Sequence, residues 1–352
     1  MCCITFNWKE GNTRGKFDHF RSTGSVAWAV IELTDFCNFN CEWCYAGAGY
    51  ASGSERRHMP LGDLKLLIDT LADSGTRQVT YSGGEPMMYP YLREAISYAH
   101  DRGLHVHMNT NAYLLTKEKM KELMELGLSQ IETNIDSVTP ERHDRVRGMP
   151  GSFSKSMEAV RNAADLGMVC VVQTVMTREN EHEIIDIARL ARDAGAQRYR
   201  LWDVMLSGHA HGRKDMRPTR YVEIVKSLAE FAASAGAWSL ESGEPLFPLE
   251  HEVGMDVIDF PCVCACGLLM NISAAGDAYF CCTYREPLYN VFDALARGEK
   301  LREYHASRLA EFLTRKGVPE KCASCRLFEK CRGGCLTRTG YTEDGVDYWC
   351  EL

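Results

Sequence analysis

Between residues 25 and 235 the chain repeats one pattern six times: a short apolar run of strand length, then an amphipathic stretch of helix length. The runs occupy 26–33, 78–81, 104–109, 130–135, 168–176 and 198–202. Strand, crossover helix and parallel strand produce this alternation, so the expected fold class is α/β with a parallel sheet under helices. The helix ends carry their own signals. Pro60 opens LGDLKLLIDTLADSG with Gly75 just beyond it, and Thr116 caps KEKMKELMELG before Gly127. Six units either close into a partial barrel or lie open as a doubly wound sheet, and periodicity does not choose between them.

Alternation inside the strands adds a clue about the interior, because every second side chain points to the same face. His105, His107 and Asn109, and again Glu132, Asn134 and Asp136, alternate with Val106, Met108, Thr133 and Ile135. The second set suits packing under helices. The first set suits a lumen that holds a polar ligand, or else side chains that satisfy one another or meet solvent at strand ends.

Composition excludes several classes. With 45% apolar and 25% charged residues the chain is globular in character, and at 352 residues it has room for a second, smaller core. No run approaches about 18 uninterrupted apolar residues, and the start MCCITFNWKEGN lacks a basic flank followed by an apolar stretch. A cytoplasmic protein with no membrane partner is expected. The net charge of -8, from 48 acidic and 40 basic residues, opposes attraction to phosphate backbones, so nucleic acid is not an expected partner.

Sixteen cysteines are unusual in a chain too large to need disulfide staples and expected in a reducing compartment, and metal binding is the economical explanation. Cys37, Cys41 and Cys44 fall within CNFNCEWC, just after the first strand. Three thiolates suit a cubane iron-sulfur cluster with one iron left open, whereas structural zinc wants four ligands. Zinc with a distant fourth ligand is the alternative. Ten more cysteines lie between Cys262 and Cys350, among them the series Cys322, Cys325, Cys331 and Cys335, preceded by Cys266 and Cys281 and followed by Cys350. Zinc ribbons would place pairs at two similar turns; here five of these seven fall between 322 and 350 and no histidine joins them.

The spacing CxxxCxxC, with Trp43 before its last cysteine, resembles the signature of the radical S-adenosylmethionine (SAM) enzymes. Gly83, Gly84, Glu85 and Pro86 resemble the family's GGEP segment, whose backbone receives the methionine amino group. Asn111 in HMNTNA resembles the family's TNG turn, with Ala112 in the glycine position. TNIDS followed by HDRVRG resembles the SLDG and RG pair, which implies that Asn134 and Arg147 contact the ribose or carboxylate of the cofactor. Here Ser137 replaces a glycine and one residue is inserted before the arginine. The resemblance implies a partial (β/α)6 TIM-like barrel, a [4Fe-4S] cluster and bound SAM. It further implies a 5'-deoxyadenosyl radical that takes hydrogen from an unactivated carbon.

The C-terminal cysteines resemble the SPASM auxiliary domain, which carries two further [4Fe-4S] clusters in relatives. Carried over by position, Cys322, Cys325, Cys331 and Cys350 hold the outer cluster, and Cys266, Cys281 and Cys335 the inner one. Cys262 is the preferred fourth inner ligand, and Cys264 is the alternative. The implied organisation is an N-terminal extension over 1–24, the barrel over 25–235, a linker over 236–255 and a small cysteine-rich auxiliary domain over 256–352. The inner cluster would accept a second electron from the substrate radical, and a ferredoxin or flavodoxin would be the reductant. Peptide or protein modification ranks ahead of a sugar, an aminocyclitol or a tetrapyrrole side chain. Only 36 residues precede Cys37, which argues against a fused leader-binding domain. A non-catalytic iron-sulfur electron carrier is the rival from another class, and GGEP and Asn111 argue against it.

Cys282 stands where relatives that oxidise sulfatases carry a catalytic aspartate, and with Tyr284 it is a catalytic candidate. A buried thiol without chemistry is the plainer account of Cys282, as of Cys2, Cys3 and Cys170. Tyr279, Tyr284 and Arg285 flank an expected cluster ligand and either meet substrate or pack around metal. His209, His211 and Arg213 lie in LSGHAHGRKDMRPTR near the expected barrel mouth, a composition also ordinary for a solvated loop.

Overall fold

The computed structural model describes residues 4–6, 26–48, 56–234, 238–242, 262–325, 328, 333–340, 342 and 344–350. Eleven strands follow in chain order: β1 (Ile4–Phe6), β2 (Trp28–Thr34), β3 (Gln78–Gly83), β4 (His105–Asn109), β5 (Leu128–Asn134), β6 (Val169–Met176), β7 (Arg198–Asp203), β8 (Ser239–Ser242), β9 (Leu269–Ile272), β10 (Asp277–Cys281) and β11 (Tyr284–Asn290). Strands β2 to β7 are the six expected ones, displaced by at most two residues at any end. They form one sheet in the order β1-β8-β7-β6-β5-β4-β3-β2-β9-β10-β11. Every pair from β8 through β2 to β9 is parallel, and the pairs β1·β8, β9·β10 and β10·β11 are antiparallel.

The sheet extends beyond the expected units at both margins. The stretch read as a linker over 236–255 contributes β8, paired with β7, and the extension over 1–24 contributes β1, paired with β8. The C-terminal region likewise joins the barrel's own sheet, through β9 alongside β2. Strands of three or four residues are too short for a period to register in the sequence. Cys2, Cys3 and Cys331 lie outside the described residues.

Helices α1 (Leu61–Asp73), α2 (Leu92–Asp101), α3 (Lys117–Glu125), α4 (Pro140–Arg147), α5 (Ser152–Leu166), α6 (Ile184–Asp193) and α7 (Tyr221–Ser234) alternate with these strands. In α1, Leu64, Leu67, Ile68 and Leu71 are buried, the spacing of one helical face. The Thr116 hydroxyl accepts from the Lys119 N–H at 3.3 Å, the expected cap of α3. The apolar face of the sheet packs under these helices: Ile31, Tyr81, Val106, Met108, Ile131 and Val172 join one core with the helix residues, and Cys170 sits fully buried in it. Beyond β8 follow α8 (Val291–Ala296), α9 (Leu301–Lys316) and α10 (Leu336–Thr339). No helix among the described residues is long and apolar enough to cross a membrane.

The other face of the sheet is polar and buried, as the alternation predicted. Arg200 on β7 lies between Glu132 on β5, at 2.5 Å, and Glu241 on β8, at 2.5 Å. Gln130 and Gln173 donate to Glu132 at 2.8 and 3.2 Å, and the Trp202 indole donates to Gln173 at 2.7 Å. Every member is paired, which is what permits charge in such a place.

Candidate active site

The loop leaving β2 carries Cys37, Cys41 and Cys44, and neighbouring backbone clamps it on two sides. Gly84 N–H donates to Thr34 O and Glu85 N–H to Phe36 O, both at 2.7 Å. A Cβ on Gly84 would stand 2.1 Å from Phe36 O, so only glycine permits this approach. The glycines expected to make room for a ligand are thus required first by the cysteine loop itself. From the other side, Glu42 N–H donates to Val146 O at 3.0 Å, at the end of α4. The Asn111 amide donates to Asn38 Oδ1 at 2.7 Å.

A cavity of about 180 Å3 opens beside this loop. All three cysteines line it, together with Trp43, Gly83 and Gly84. Asn111, Asn134 and Arg147 reach it from the turn after β4, from β5 and from α4, and Gln173, Trp202 and Asp203 from β6 and β7. A flat sheet could not place the ends of six successive strands around one space, so the sheet curves as a partial barrel. Cys282 and Thr283 close the cavity from the C-terminal half.

Two expected residues stand behind the wall. The buried Glu85 carboxylate accepts from Thr110 Oγ1 and Asn111 N–H, each at 2.7 Å, and from Met87 N–H at 3.0 Å. It therefore shapes the turn that presents Asn111, and Pro86 is buried at the start of a short 3-10 turn. Tyr284 faces a second, more open cleft of about 480 Å3 that shares Thr283 with the cavity. There Lys316 donates to the Tyr284 hydroxyl at 2.7 Å, and that hydroxyl donates to Glu286 at 3.1 Å. His211 lines the same cleft, whereas Arg213 is exposed and pairs with Asp215.

Burial pushes the Cys37 thiol up to about 12 and Cys41 to about 11, with neighbouring acidic groups adding to the effect. The Phe39 N–H opposes the shift at Cys37, and Arg147 opposes it at Cys41. Three half-buried thiolates therefore need cationic charge beyond one guanidinium, which a metal cluster would supply. Arg147 also stands 3.5 Å from Asp136, whose carboxyl burial raises to about 6 despite that pairing. Among the described residues no three His, Cys, Asp or Glu side chains close around a single ion, an arrangement that a cubane, wider than one ion, does not require. Both amide atoms of Asn109 and the Trp43 Nε1 are buried without a partner while lining the cavity. Buried polar groups are ordinarily bonded, so these atoms mark where a polar ligand fits. Asn109 was legible only as part of the wet strand face.

Comparison with known proteins agrees with this geometry. The family model described as the radical SAM superfamily matches residues 31–191. The AdoMet-dependent heme synthase of Nitratidesulfovibrio vulgaris is 27% identical over 89% of this chain and 87% of its own length. The mycofactocin maturase MftC of Mycolicibacterium smegmatis is 28% identical over 91% of this chain and 81% of its own. Over residues 31–191 the chain carries a radical SAM domain. Members of this superfamily are enzymes that bind SAM and a [4Fe-4S] cluster. In fold, the chain is similar to Streptococcus suis SuiB bound to its precursor peptide SuiA, with a TM-score of 0.74, 16% identity, and coverage of 96% of this chain and 80% of that one.

The cysteines of the C-terminal region fall into two groups. The Cys322 thiol is raised by burial and further by Cys350 and Cys325 beside it, and Cys335 by burial, with Cys281 among its neighbours. Cys262 and Cys266 sit half-buried one helical turn apart, the Cys266 N–H donating to Cys262 O at 2.9 Å. Cys264 is buried on the apolar side, 4.0 Å from the Asn271 amide. Arg285 forms a bidentate pair with Glu32 on β2, at 2.6 and 3.0 Å, and lies over the Tyr279 ring, so both residues brace the junction with the barrel.

Proposed function

We propose that Cys37, Cys41 and Cys44 hold a [4Fe-4S] cluster with one open iron, that the adjoining cavity binds SAM, and that the enzyme modifies a peptide. The observation that carries this is the cavity itself, which gathers the three cysteines with Asn111, Asn134 and Arg147 and is closed by Cys282. When bound, these groups supply a 5'-deoxyadenosyl radical able to take hydrogen from an unactivated carbon. The chain's own residues bind, orient and exclude water. Arg147, buried between Asp136 and the cysteines, offers a carboxylate partner on the cavity wall. Asn109, Asn134 and Trp43 offer hydrogen bonds to the ribose and base. Glu85 holds Asn111 in place from behind. Cys282 and Thr283 narrow the opening, which keeps water from a reactive intermediate.

The cysteine groups support two auxiliary clusters in a domain over 256–352: an outer one on Cys322, Cys325, Cys331 and Cys350, and an inner one on Cys266, Cys281, Cys335 and Cys262. Cys262 shares the turn face of Cys266, whereas Cys264 is turned into apolar packing, which favours Cys262. A small ferredoxin or flavodoxin would supply electrons.

The named maturase relative and the precursor peptide on the structural neighbour favour a peptide substrate. In this reading the reacting residue enters past Thr283 while the flanking chain lies in the open cleft of Tyr284 and Lys316. The heme synthase relative supports a second reading, in which a tetrapyrrole side chain enters by the same route. Anaerobic incubation of the reduced protein with SAM tests the central reading. Slow release of 5'-deoxyadenosine is expected, lost on Cys41→Ala and accelerated by the true substrate, peptide or tetrapyrrole. Absence of that product from protein with every cluster loaded would refute it.

A further inference from the structure

The loop after β7, in LSGHAHGRK, holds two of the three cysteines of the loop after β2 at once. The His209 backbone N–H donates to the Cys44 carbonyl at 3.0 Å, and its ring Nδ1 lies 2.9 Å from the Cys41 carbonyl. A carbonyl oxygen only accepts, so Nδ1 carries the proton. The neighbouring Gly208 has φ +56, and a Cβ there would stand 2.1 Å from Cys44 O; glycine is what lets the turn come this near. Ala210, one residue on, is buried in a small apolar cluster with Trp43, Val146, Val204 and Met216. The turn is therefore packed onto the cysteine loop from both its polar and its apolar side. These bonds are separate from those that Gly84 and Glu85 make to Thr34 and Phe36.

We propose that His209 is a positioning residue for the N-terminal cluster. It grips the peptides of Cys41 and Cys44, fixes the spacing of their thiolates, and thereby sets how firmly the cluster is held and at what potential it is reduced. This rests on the reading of Cys37, Cys41 and Cys44 as cluster ligands. Partners that orient a ligand from behind typically change metal affinity by about 10–100-fold when removed, and hydrogen bonding around a cluster tunes its potential.

The test uses the full chain, anaerobically loaded, as wild type, His209→Ala and His209→Asn, the last because its amide nitrogen stands where Nδ1 does. Two quantities are read on the cluster whose electron paramagnetic resonance signal responds to SAM: its rate of iron loss to a chelator and its midpoint potential. His209→Ala is expected to lose iron about 10–100-fold faster and to shift to a more negative potential, with His209→Asn recovering most of both. Wild-type behaviour of His209→Ala, or a His209→Asn variant no better than His209→Ala, would overturn the proposal alone. A wild type lacking any SAM-responsive cluster would overturn the parent reading and this proposal with it.

Discussion

Ala112 has φ +62, a left-handed conformation, at the position that the resembled TNG turn gives to glycine. An L-residue there carries about 1–2 kcal/mol of strain. Against that, Ala restricts the unfolded chain by about 0.4–1 kcal/mol relative to glycine, and its buried methyl contributes about 0.8 kcal/mol. The terms nearly cancel, which explains how alanine is tolerated. Ala112→Gly should accordingly leave the denaturation midpoint close to wild type, while Ala112→Val, β-branched at positive φ, should destabilise by about 1–3 kcal/mol. A loss for the glycine variant as large as for valine would show that the methyl's packing, not strain, dominates. At this scale the motif residues Asn111, Asn134 and Arg147 were legible only through the family resemblance, and all three line the cavity. Glu85 was not: whether a carboxylate enters a cavity or props its wall depends on Thr110 and Asn111 folding over it. His209 gave only a loop signal, since its partners, the Cys41 and Cys44 carbonyls, belong to a distant segment.

At the scale of elements, the six strands β2 to β7 were readable from apolar runs, and their polar alternation correctly marked a wet interior around Glu132. Closure was not readable, because partial barrel and open sheet share the same period and differ in strand tilt. The short β1 and β8 escaped notice for want of length. The Cys262 turn was undecided in the sequence, where Cys262, Cys264 and Cys266 alternate evenly; folding into a helical turn separates them, leaving Cys264 inward. Iron analysis of loaded protein checks the consequence. Cys262→Ser should lower iron content by up to one cluster's share, whereas Cys264→Ser should leave it unchanged. The reverse result would assign Cys264 as the inner ligand.

Across the whole molecule, the C-terminal half is fastened to the barrel by contacts that no local pattern announces. Arg285 meets Glu32 across 253 positions. Asp203, on the cavity wall, accepts from the Tyr348 hydroxyl at 2.6 Å and the Trp349 indole at 2.7 Å, immediately before Cys350. Arg338 and Asp347 form a buried pair at 2.7 Å, and Asp347 also accepts from the Cys335 N–H at 2.8 Å. One hydrogen-bonded framework thus runs from the second cysteine block to the wall of the cavity that the first one lines. The proposed function depends on Cys37, Cys41 and Cys44 holding a cluster that offers a vacant iron to SAM. Electron-nuclear double resonance on the reduced protein with SAM labelled at its methionine amine and carboxylate addresses that point directly. The account predicts hyperfine coupling of the labels to the cluster, abolished by Cys41→Ala; a mononuclear, four-coordinate thiolate ion at that loop, with no coupling to the labels, would contradict it.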